Sequence, residues 1–358
     1  MTWQIVKLGE CIDILSGFAF ESEKFSTDKG IKLIRIRDVV RGYSDTYYDG
    51  SFDKKYLIKK DDILIGMDGE FNRARWASED ALLNQRVCKI SAKDSVLNND
   101  FLYHLLPKEL KRIESITPFV TVKHLSVKTI NEIQIKLPPL KEQQRIAAIL
   151  DKAELVKRKR ELAIEKLGLL AKNIFFAMFG NPNINNKNLK MQNLGEVLKV
   201  KSGNFLPANA MQSDGKHAVY GGNGINGYHD LYMFEDKKIV IGRVGAYCGC
   251  VHVTQPKSWV TDNALYIEEF SNELNFEYLA FALDIANLNK VSSQSGQPLI
   301  SGARIYRVNI LVPPLEDQAI FIKKLKQIDS HEIKNQKSSC LTKDMFNSLQ
   351  SQAFSGQL

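Results

Sequence analysis

Short apolar runs alternate with turn residues along most of the chain. The runs at 31–36 and 239–241 are bounded by Gly, Asp and Asn, which predicts strands separated by turns. Residues 98–110 and 275–287 have the apolar spacing of short amphipathic helices. The alternating run Ile133-x-Ile135-x-Leu137 predicts a strand that ends at a double proline, since proline has no N–H for a sheet ladder. The chain is therefore predicted to be α+β, built from mixed α/β domains.

From 141 to 180 the apolar residues recur at alternating steps of four and three, which is typical of a coiled-coil seam. The predicted seam contains Ile146, Leu150, Ala153, Ile164, Leu167, Ala171, Ile174 and Met178. Lys157 and Arg160 also fall on it, and Gly180-Asn-Pro182 is expected to end the helix. At about 1.5 Å per residue the helix would span roughly 50–60 Å, and its apolar stripe needs a partner.

Residues 316–358 offer that partner. Their weaker seam contains Ile320, Leu325, Ile328, Leu341, Met345 and Leu349. The polar stretch 329–339 leaves open whether this second helix is continuous. Antiparallel pairing of the two helices would place two globular domains at opposite ends of a stiff spacer.

The chain repeats itself, because several blocks recur in the same order. They pair Leu8-Gly9-Glu10 with Leu194-Gly195-Glu196, Ser16-Gly17 with Ser202-Gly203, Gly66-x-x-Gly69 with Gly242-x-x-Gly245, Asn84 with Asn263, Phe101-Leu102 with Tyr278-Leu279, and 125–143 with 300–318. The last pair aligns without a gap and ends in Pro-Pro-Leu-x-Glu/Asp-Gln. This order predicts a duplicated unit of about 175–185 residues. The expected segments are a first domain at 1–140, a central spacer helix at 141–180, a second domain at 181–315 and a C-terminal spacer helix at 316–358.

Charge favours a polyanionic partner. The net charge is +8 and the pI is about 9.0, and lysine and arginine release counterions when they meet phosphates. Nine Lys/Arg against five Asp/Glu at 141–180 account for +4 of this surplus. No signal peptide or membrane-spanning run is recognisable, so a cytoplasmic location is expected. The five cysteines are scattered and predict reduced thiols.

Three motifs suggest catalysis, and two of them fail on their context. Gly222-x-Gly224-x-x-Gly227 matches a dinucleotide-binding fingerprint, but no helical run follows it, so a glycine-rich loop is predicted. The double prolines lack the polar residue and the aromatic of an aminomethyltransferase motif. The set Asp100, Glu109 and Lys111 resembles a magnesium nuclease set, although its charges fit the solvated face of a helix. No metal site is predicted.

What remains is binding chemistry. Segments between the repeated blocks are rich in Arg, Lys, Asn, Gln, Ser and Gly, which read base edges or approach phosphates. The candidate DNA-binding residues are Ser16, Arg35, Arg37, Arg73, Arg75, Lys123, His124, Asn204, Tyr220, Asn223, Arg243, Gln294 and Gln297.

The duplicated Leu-Gly-Glu, Ser-Gly, Ile-Gly-x-x-Gly and Pro-Pro-Leu-x-Glu/Asp-Gln blocks resemble those of specificity (S) subunits of type I restriction-modification systems. The resemblance implies two tandem target-recognition domains, separated by two long helices that form an antiparallel coiled coil. Each domain would read one half of a bipartite, asymmetric target in double-stranded DNA. The chain would be a non-catalytic subunit of a hetero-oligomer.

The same resemblance implies partners. Methyltransferase (M) subunits would dock on the helices, and restriction (R) subunits would join them. S-adenosylmethionine, ATP and Mg would be bound by those subunits and not by this chain. The candidate partner-binding residues are Ile146, Leu150, Leu167, Ile174, Leu325 and Leu341. The basic run from Lys157 to Arg160 fits either partner docking or DNA backbone contact.

Two alternatives stay open at this point. One is a fragment of a single-chain restriction nuclease that uses Asp100, Glu109 and Lys111. The other is a non-catalytic protein-binding scaffold in which the helix pair matters and the basic loops do not.

Overall fold

The computed structural model describes residues 3–116, 123–293 and 297–358. The chain forms two compact units. The first unit comprises Met1–Glu161 with Ser338–Leu358, and the second comprises Leu162–Lys337. The sequence had predicted the two long helices as segments of their own, separate from the two domains. Each of them instead contributes one part to each unit. The reason is that the ends of both helices bury apolar side chains in the domain cores.

In the described part of the first unit the strands form three sheets. Strands β1–β11 are Gln4–Lys7, Ile12–Ser16, Phe25–Ser26, Ile31–Ile34, Tyr47–Tyr48, Leu57–Ile58, Ile63–Gly66, Arg73–Arg75, Ala81–Leu83, Val87–Ala92 and Gln134–Leu137. An antiparallel sheet has the order β2-β10-β7-β8, and a second sheet has the order β3-β5-β4-β9-β6, in which β4 and β9 are parallel. Strand β1 pairs antiparallel with β11.

Helices pack against the four-stranded sheet. They are α1 Leu8–Cys11, α2 Ile36–Arg41, α3 Asn99–Ile116, α4 Val127–Asn131 and the long α5 Leu140–Phe179. Helix α3 is longer than the predicted 98–110, because Leu110 and Ile113 continue its buried face beyond Pro107. Helix α5 ends where Gly180 takes a positive φ of 78°, as the Gly-Asn-Pro step predicts.

The second unit repeats this plan. Its strands β12–β20 are Met191–Asn193, Leu198–Ser202, His217–Gly221, Gly224–His229, Ile239–Gly242, Val251–Val253, Trp259–Val260, Ala264–Phe270 and Asn309–Leu311. Its helices are α6 Leu194–Val197, α7 Phe276–Ala286, α8 Gly302–Ile305 and the long α9 Leu315–Ser355. The order β13-β19-β16-β17 matches β2-β10-β7-β8, and β12 pairs with β20 as β1 pairs with β11. The two units therefore have equivalent cores.

The glutamine that closes each Pro-Pro-Leu block ties a long helix to its domain. Gln143 accepts a hydrogen bond from the Asn98 N–H at 2.7 Å and donates to the carbonyls of Val96 and Pro138 at 3.1 and 2.8 Å. Gln318 repeats the arrangement in the second unit with Asn275, Glu273 and Pro313. Both side chains are buried, so the duplicated motif has a structural cause.

Helix α9 is continuous, which answers the question left by its polar middle. Its buried and half-buried positions recur at steps of four and three: Phe321, Leu325, Ile328, Glu332, Asn335, Ser339, Thr342, Phe346, Leu349 and Ala353. The predicted seam was wrong at Ile320, Leu341 and Met345, which are exposed. Polar residues occupy several true seam positions, and an apolar pattern does not reveal them.

In the first unit two basic residues of α5 contact α9. Arg160 donates to the hydroxyl of Ser338, and the ammonium of Lys157 lies 5.6 Å from the centroid of the Phe346 ring. Both basic residues therefore lie on the seam, as predicted, and contact α9. The two basic residues that interrupt the apolar seam of α5 are thus contacted by Ser338 and Phe346 of α9.

Candidate nucleic-acid interface

Several loops meet at one end of each four-stranded sheet. In the first unit β2 ends at Ser16 and β7 ends at Gly66, while β8 begins at Arg73 and β10 at Val87. The second unit places Ser202, Gly242 and Ala264 in the same way. We call these groups of loops the loop ends. They comprise 16–20, 66–73, 84–87 and 123–125 in the first unit, and 202–206, 242–251, 260–264 and 297–300 in the second.

The Ser-Gly steps allow a close backbone crossing. The N–H of Gly17 donates to Val87 at 3.0 Å, and a Cβ at this residue would lie 2.0 Å from the carbonyl oxygen of Asn84. Gly203 donates to Ala264 at 3.1 Å, and its Cβ would meet Thr261 at 2.3 Å. The structural equivalent of Asn84 is therefore Thr261, and the predicted pairing with Asn263 was out of register by two residues.

The Gly-x-x-Gly turns each form a backbone hydrogen bond to a further loop, which is the one at 123–125 in the first unit and at 297–300 in the second. Gly69 and Gly245 have φ values of 74° and 75°, which favour glycine. Their N–H groups donate to the carbonyls of Lys123 at 2.9 Å and Pro298 at 3.0 Å. The turn thus holds the predicted site residues Lys123 and His124 in the first unit and the chain beside Gln297 in the second.

An acidic residue organises the first loop end. Asp68 lies 2.6 Å from Nδ1 of His124 through one carboxylate oxygen and 2.9 Å from Nη1 of Arg86 through the other. His124 and Arg86 are exposed. Ser16 is exposed nearby, whereas Lys123 donates its ammonium to the carbonyl of Glu114 at 2.6 Å.

Arg35 and Arg37 lie beside the same loops. They flank Ile36, whose Cγ1 would be 3.1 Å from a Cβ on Gly66. Both arginines are exposed at the start of α2, where the buried carboxylate of Asp38 accepts the backbone N–H of Arg35 at 3.0 Å. The structure therefore brings this predicted pair to the loop end.

Arg73 and Arg75 contact one aromatic ring. Their guanidinium carbons lie 3.4 and 4.4 Å from the centroid of Tyr103. Arg75, which was predicted to bind DNA, also donates to Asp100 at 2.7 Å and therefore has a structural contact. Burial lowers the pKa of Arg73, and its Nε has no hydrogen-bond partner in the described part of the chain. Arg73 begins β8 at the loop end, but most of its guanidinium faces the ring.

The second loop end is built from different side chains. Arg243 donates to the hydroxyl of Ser202 at 3.2 Å, and Asn204 is exposed two residues further on. Asn223 is exposed in the turn between β14 and β15, where Gly222 contacts Gly242 through its carbonyl. Gln297 is exposed, while the predicted residue Gln294 lies outside the described residues.

Tyr220 corrects one prediction. Its side chain is buried in a small core, and its hydroxyl accepts the N–H of Gln255 at 3.0 Å. It therefore cannot reach a ligand at the surface. The motif Gly222-x-Gly224-x-x-Gly227 forms a β-hairpin, which agrees with the expected glycine-rich loop and does not provide a helix N-terminus for phosphates.

Sequence reasoning missed Asp68 and Arg86. Both lie inside or beside repeated blocks, at Gly66-x-x-Gly69 and two residues after Asn84, so their proximity to the glycine turn was the available signal. The candidate residues also omitted two exposed aromatics, Phe18 directly after Gly17 and Phe205 two residues after Gly203.

The nuclease-like set does not assemble. Asp100 is paired with Arg75. Glu109 lies nine residues further along α3 and is paired with Arg112 at 3.0 Å. Across the described ranges no group of three His, Cys, Asp or Glu side chains could hold a metal ion. No helix in those ranges is both long and apolar enough to cross a bilayer.

The predicted partner-binding residues fall into three groups. Ile146 and Leu150 are completely buried in the first core, which also contains Phe346 and Phe354, so a partner could not contact them. Leu167, Ile174 and Leu325 are half-buried. Leu341 is 70% exposed.

His104 is a buried histidine between α3 and α5 in the first unit. Its Nε2 lies 2.7 Å from Asp151, its Nδ1 lies 3.9 Å from Glu154, and Arg73 is the nearby cation. Burial lowers the pKa of His104 and outweighs the hydrogen bond to Asp151, which raises it. The repeat places Phe281 at the equivalent position of α7, so an apolar ring fits this site.

We expect the first unit to lose stability as the pH falls below about 6.5. Below this pH His104 is protonated in the unfolded chain but stays neutral in the folded one, because its pKa is lower there. Proton binding then favours the unfolded state and lowers the free energy of unfolding. His104→Phe should flatten the dependence of the urea midpoint on pH between about 7.5 and 5.5. His331→Phe, at an exposed position of α9, is the control and should leave the slope unchanged. Equal slopes for wild type and His104→Phe would contradict this assignment.

The fold and its loop ends define a protein of two equivalent α/β units, whose loop ends carry different side chains. A family profile, the type I restriction modification DNA specificity domain, matches residues 1–166 and 186–343. The chain belongs to this family.

Named relatives agree with this assignment. The EcoBI specificity subunit of Escherichia coli is 46% identical over 151 residues, 42% of this chain and 32% of that subunit. The EcoprrI specificity subunit of Escherichia coli is 29% identical over 160 residues, 42% of this chain and 40% of that subunit. The chain thus matches less than half the length of these two relatives. The EcoKI specificity subunit of Escherichia coli strain K12 is 21% identical, with 99% of this chain and 89% of that subunit covered.

A solved structure shares the fold. The S subunit of the type I restriction-modification system from M. genitalium superposes with a TM-score of 0.63 at 18% identity, covering 99% of this chain and 96% of that chain. At this identity the likeness concerns the fold, and it extends over both units.

Proposed function

We propose that this chain is the non-catalytic specificity subunit of a type I restriction-modification complex. Each unit reads one half of a bipartite, asymmetric DNA target through its loop end. The observation that carries the proposal is the pair of loop ends, which share one backbone arrangement and differ in their side chains. Equivalent frames with different chemistry suit two different half-sites, since base edges are read by side chains.

The two long helices act as an antiparallel coiled-coil spacer in this proposal. Support comes from each unit separately. Ile146, Leu150 and Ala153 of α5 share the first core with Phe346 of α9, and Phe175 of α5 contacts Phe321 of α9 in the second. At about 1.5 Å per residue, the 40 and 41 residues of these helices extend roughly 60 Å. A stiff connection of this kind would hold the two DNA-binding loop ends at a fixed distance.

Methyltransferase subunits dock on the outer faces of the helices. The support is a set of large apolar side chains that α5 and α9 leave exposed, which is unusual for a helix pair that buries its own seam. They are Leu155, Val156, Leu341 and Met345 in the first unit, and Leu162, Leu169, Leu170, Phe176, Ile320 and Ile333 in the second. S-adenosylmethionine, ATP and Mg belong to the partner subunits, and the complex works on DNA in the cytoplasm.

Methylome sequencing tests this function. Cells that express the chain with the methyltransferase subunits of its system should methylate adenine at one bipartite motif, with two half-sites and a constant gap. Cells with the methyltransferase subunits alone are the control and should lack that motif. Magnesium-dependent cleavage by the purified chain, or the same methylation without the chain, would overturn the proposal.

A further inference from the structure

Each loop end contains an equivalent hydrogen bond between two backbone groups, and one of the two bonded residues is an arginine. The arginine supplies the carbonyl in the first unit and the N–H in the second. In the first unit the N–H of Met67 donates to the carbonyl of Arg86 at 3.0 Å. In the second the N–H of Arg243 donates to the carbonyl of Asn263 at 3.0 Å. The two pairs are equivalent because both lie between the end of the β7 or β16 strand and the start of β10 or β19. Each unit therefore presents one arginine from the same place in the fold.

Arg86 is held in position without being buried. Its Nη1 lies 2.9 Å from Asp68, its side chain is 55% exposed, and Asp68 is fixed from the other side by His124. Asp68 is its only ion-pair partner in the described residues, and more than half of its side chain is exposed, so N–H donors remain for a ligand. A side chain ordered before binding loses less conformational entropy when it meets a ligand.

The carboxylate beside Arg86 argues against a phosphate as its ligand. A negative charge about 3 Å from the guanidinium would repel a phosphate that approached the same arginine. The major-groove edge of a G·C pair is different, because it combines the guanine O6 and N7 acceptors with the cytosine N4 donor. An arginine next to an aspartate complements that edge.

We propose that Arg86 reads a guanine in the half-site of the first unit, through O6 and N7, and that Arg243 does so in the other half-site. The inference rests on the proposed function and goes beyond it, since it names the residue and the base. It requires at least one G·C pair in each half-site.

Arg112 provides a matched control for Arg86. It is 54% exposed and paired with Glu109 at 3.0 Å, and it lies on α3, outside the four segments that make up the loop end. Arg86→Ala and Arg112→Ala remove the same charge and the same kind of ion pair. Only Arg86→Ala should lower discrimination at one G·C position of one half-site, by on the order of 10- to 100-fold. Neither should change the salt dependence of DNA binding by the amount that loss of a phosphate contact would, because neither arginine is assigned to a phosphate.

The measurement is methylome sequencing of cells that express each variant with the methyltransferase subunits, with competition binding of the assembled complex to targets changed one base pair at a time. Arg86→Lys covers the case in which Arg86→Ala fails to fold. It keeps the charge and loses the bidentate fork, so the same position should relax. Arg243→Ala should relax a position in the opposite half-site and leave the first unchanged.

Failure of this inference is separable from failure of the proposed function. A wild-type bipartite motif together with a half-site that lacks any G·C pair would overturn the inference alone. So would Arg86→Ala and Arg86→Lys variants whose motif equals that of Arg112→Ala. Absence of any motif with the wild-type chain would instead overturn the proposed function.

Discussion

Shortening both long helices by one turn is expected to shorten the gap between half-sites while both half-site sequences stay the same. Deleting 157–160 from α5 together with 338–341 from α9 removes both Arg160 and Ser338, so neither residue is left without its hydrogen-bond partner. Four residues span about 6 Å of helix, which corresponds to one to two base pairs at about 3.4 Å each. Methylome sequencing reads the half-sites and the gap in one experiment.

The control keeps the helix length and changes only the side chains. Alanine at 157–160 and 338–341 should preserve the wild-type gap, because alanine maintains the helix. Since a fixed spacer allows one separation, the shortened chain should no longer direct methylation to the wild-type site. A shortened chain that retains the wild-type gap, or acquires new half-sites, would contradict the role of the helices as a spacer.

Gln143→Leu is expected to destabilise the first unit by about 3 kcal/mol or more. The substitution leaves the N–H of Asn98 and the carbonyls of Val96 and Pro138 without the partner they have in the wild type. Unpaired buried backbone groups each cost about 1–3 kcal/mol. Urea denaturation monitors the loss as a lower midpoint.

Two variants make this result specific. Gln144→Leu, at the exposed neighbouring position, should change the free energy of unfolding by less than about 0.5 kcal/mol. Gln318→Leu should reproduce the destabilisation in the second unit, where the same three bonds occur. Equal midpoints for Gln143→Leu and Gln144→Leu would show that the glutamine does not tie the helix to the domain.

The repeated blocks predicted much of the backbone. Gly17 and Gly203 recur because any Cβ would collide with a neighbouring carbonyl, and Gln143 and Gln318 recur because each buried side chain bonds three backbone groups. Such requirements tolerate few residue types, so duplication leaves them visible in a single chain. The site predictions were less complete, since surface side chains face no comparable constraint. Tyr220 was buried, and Arg86 was overlooked.

The order of apolar and turn residues determined the two repeated α/β units, their strand ends and the two long helices, because apolar spacing and the backbone limits of proline and glycine are local properties of the chain. Only the tertiary structure decided which side chains share a surface. Asp68, Arg86 and His124 are distant in sequence and meet because three loops converge on one glycine turn. It also decided the seam of α9, where the polar residues Ser339 and Thr342 are half-buried and buried, because burial depends on the residues packed around a position and the local apolar pattern does not show them.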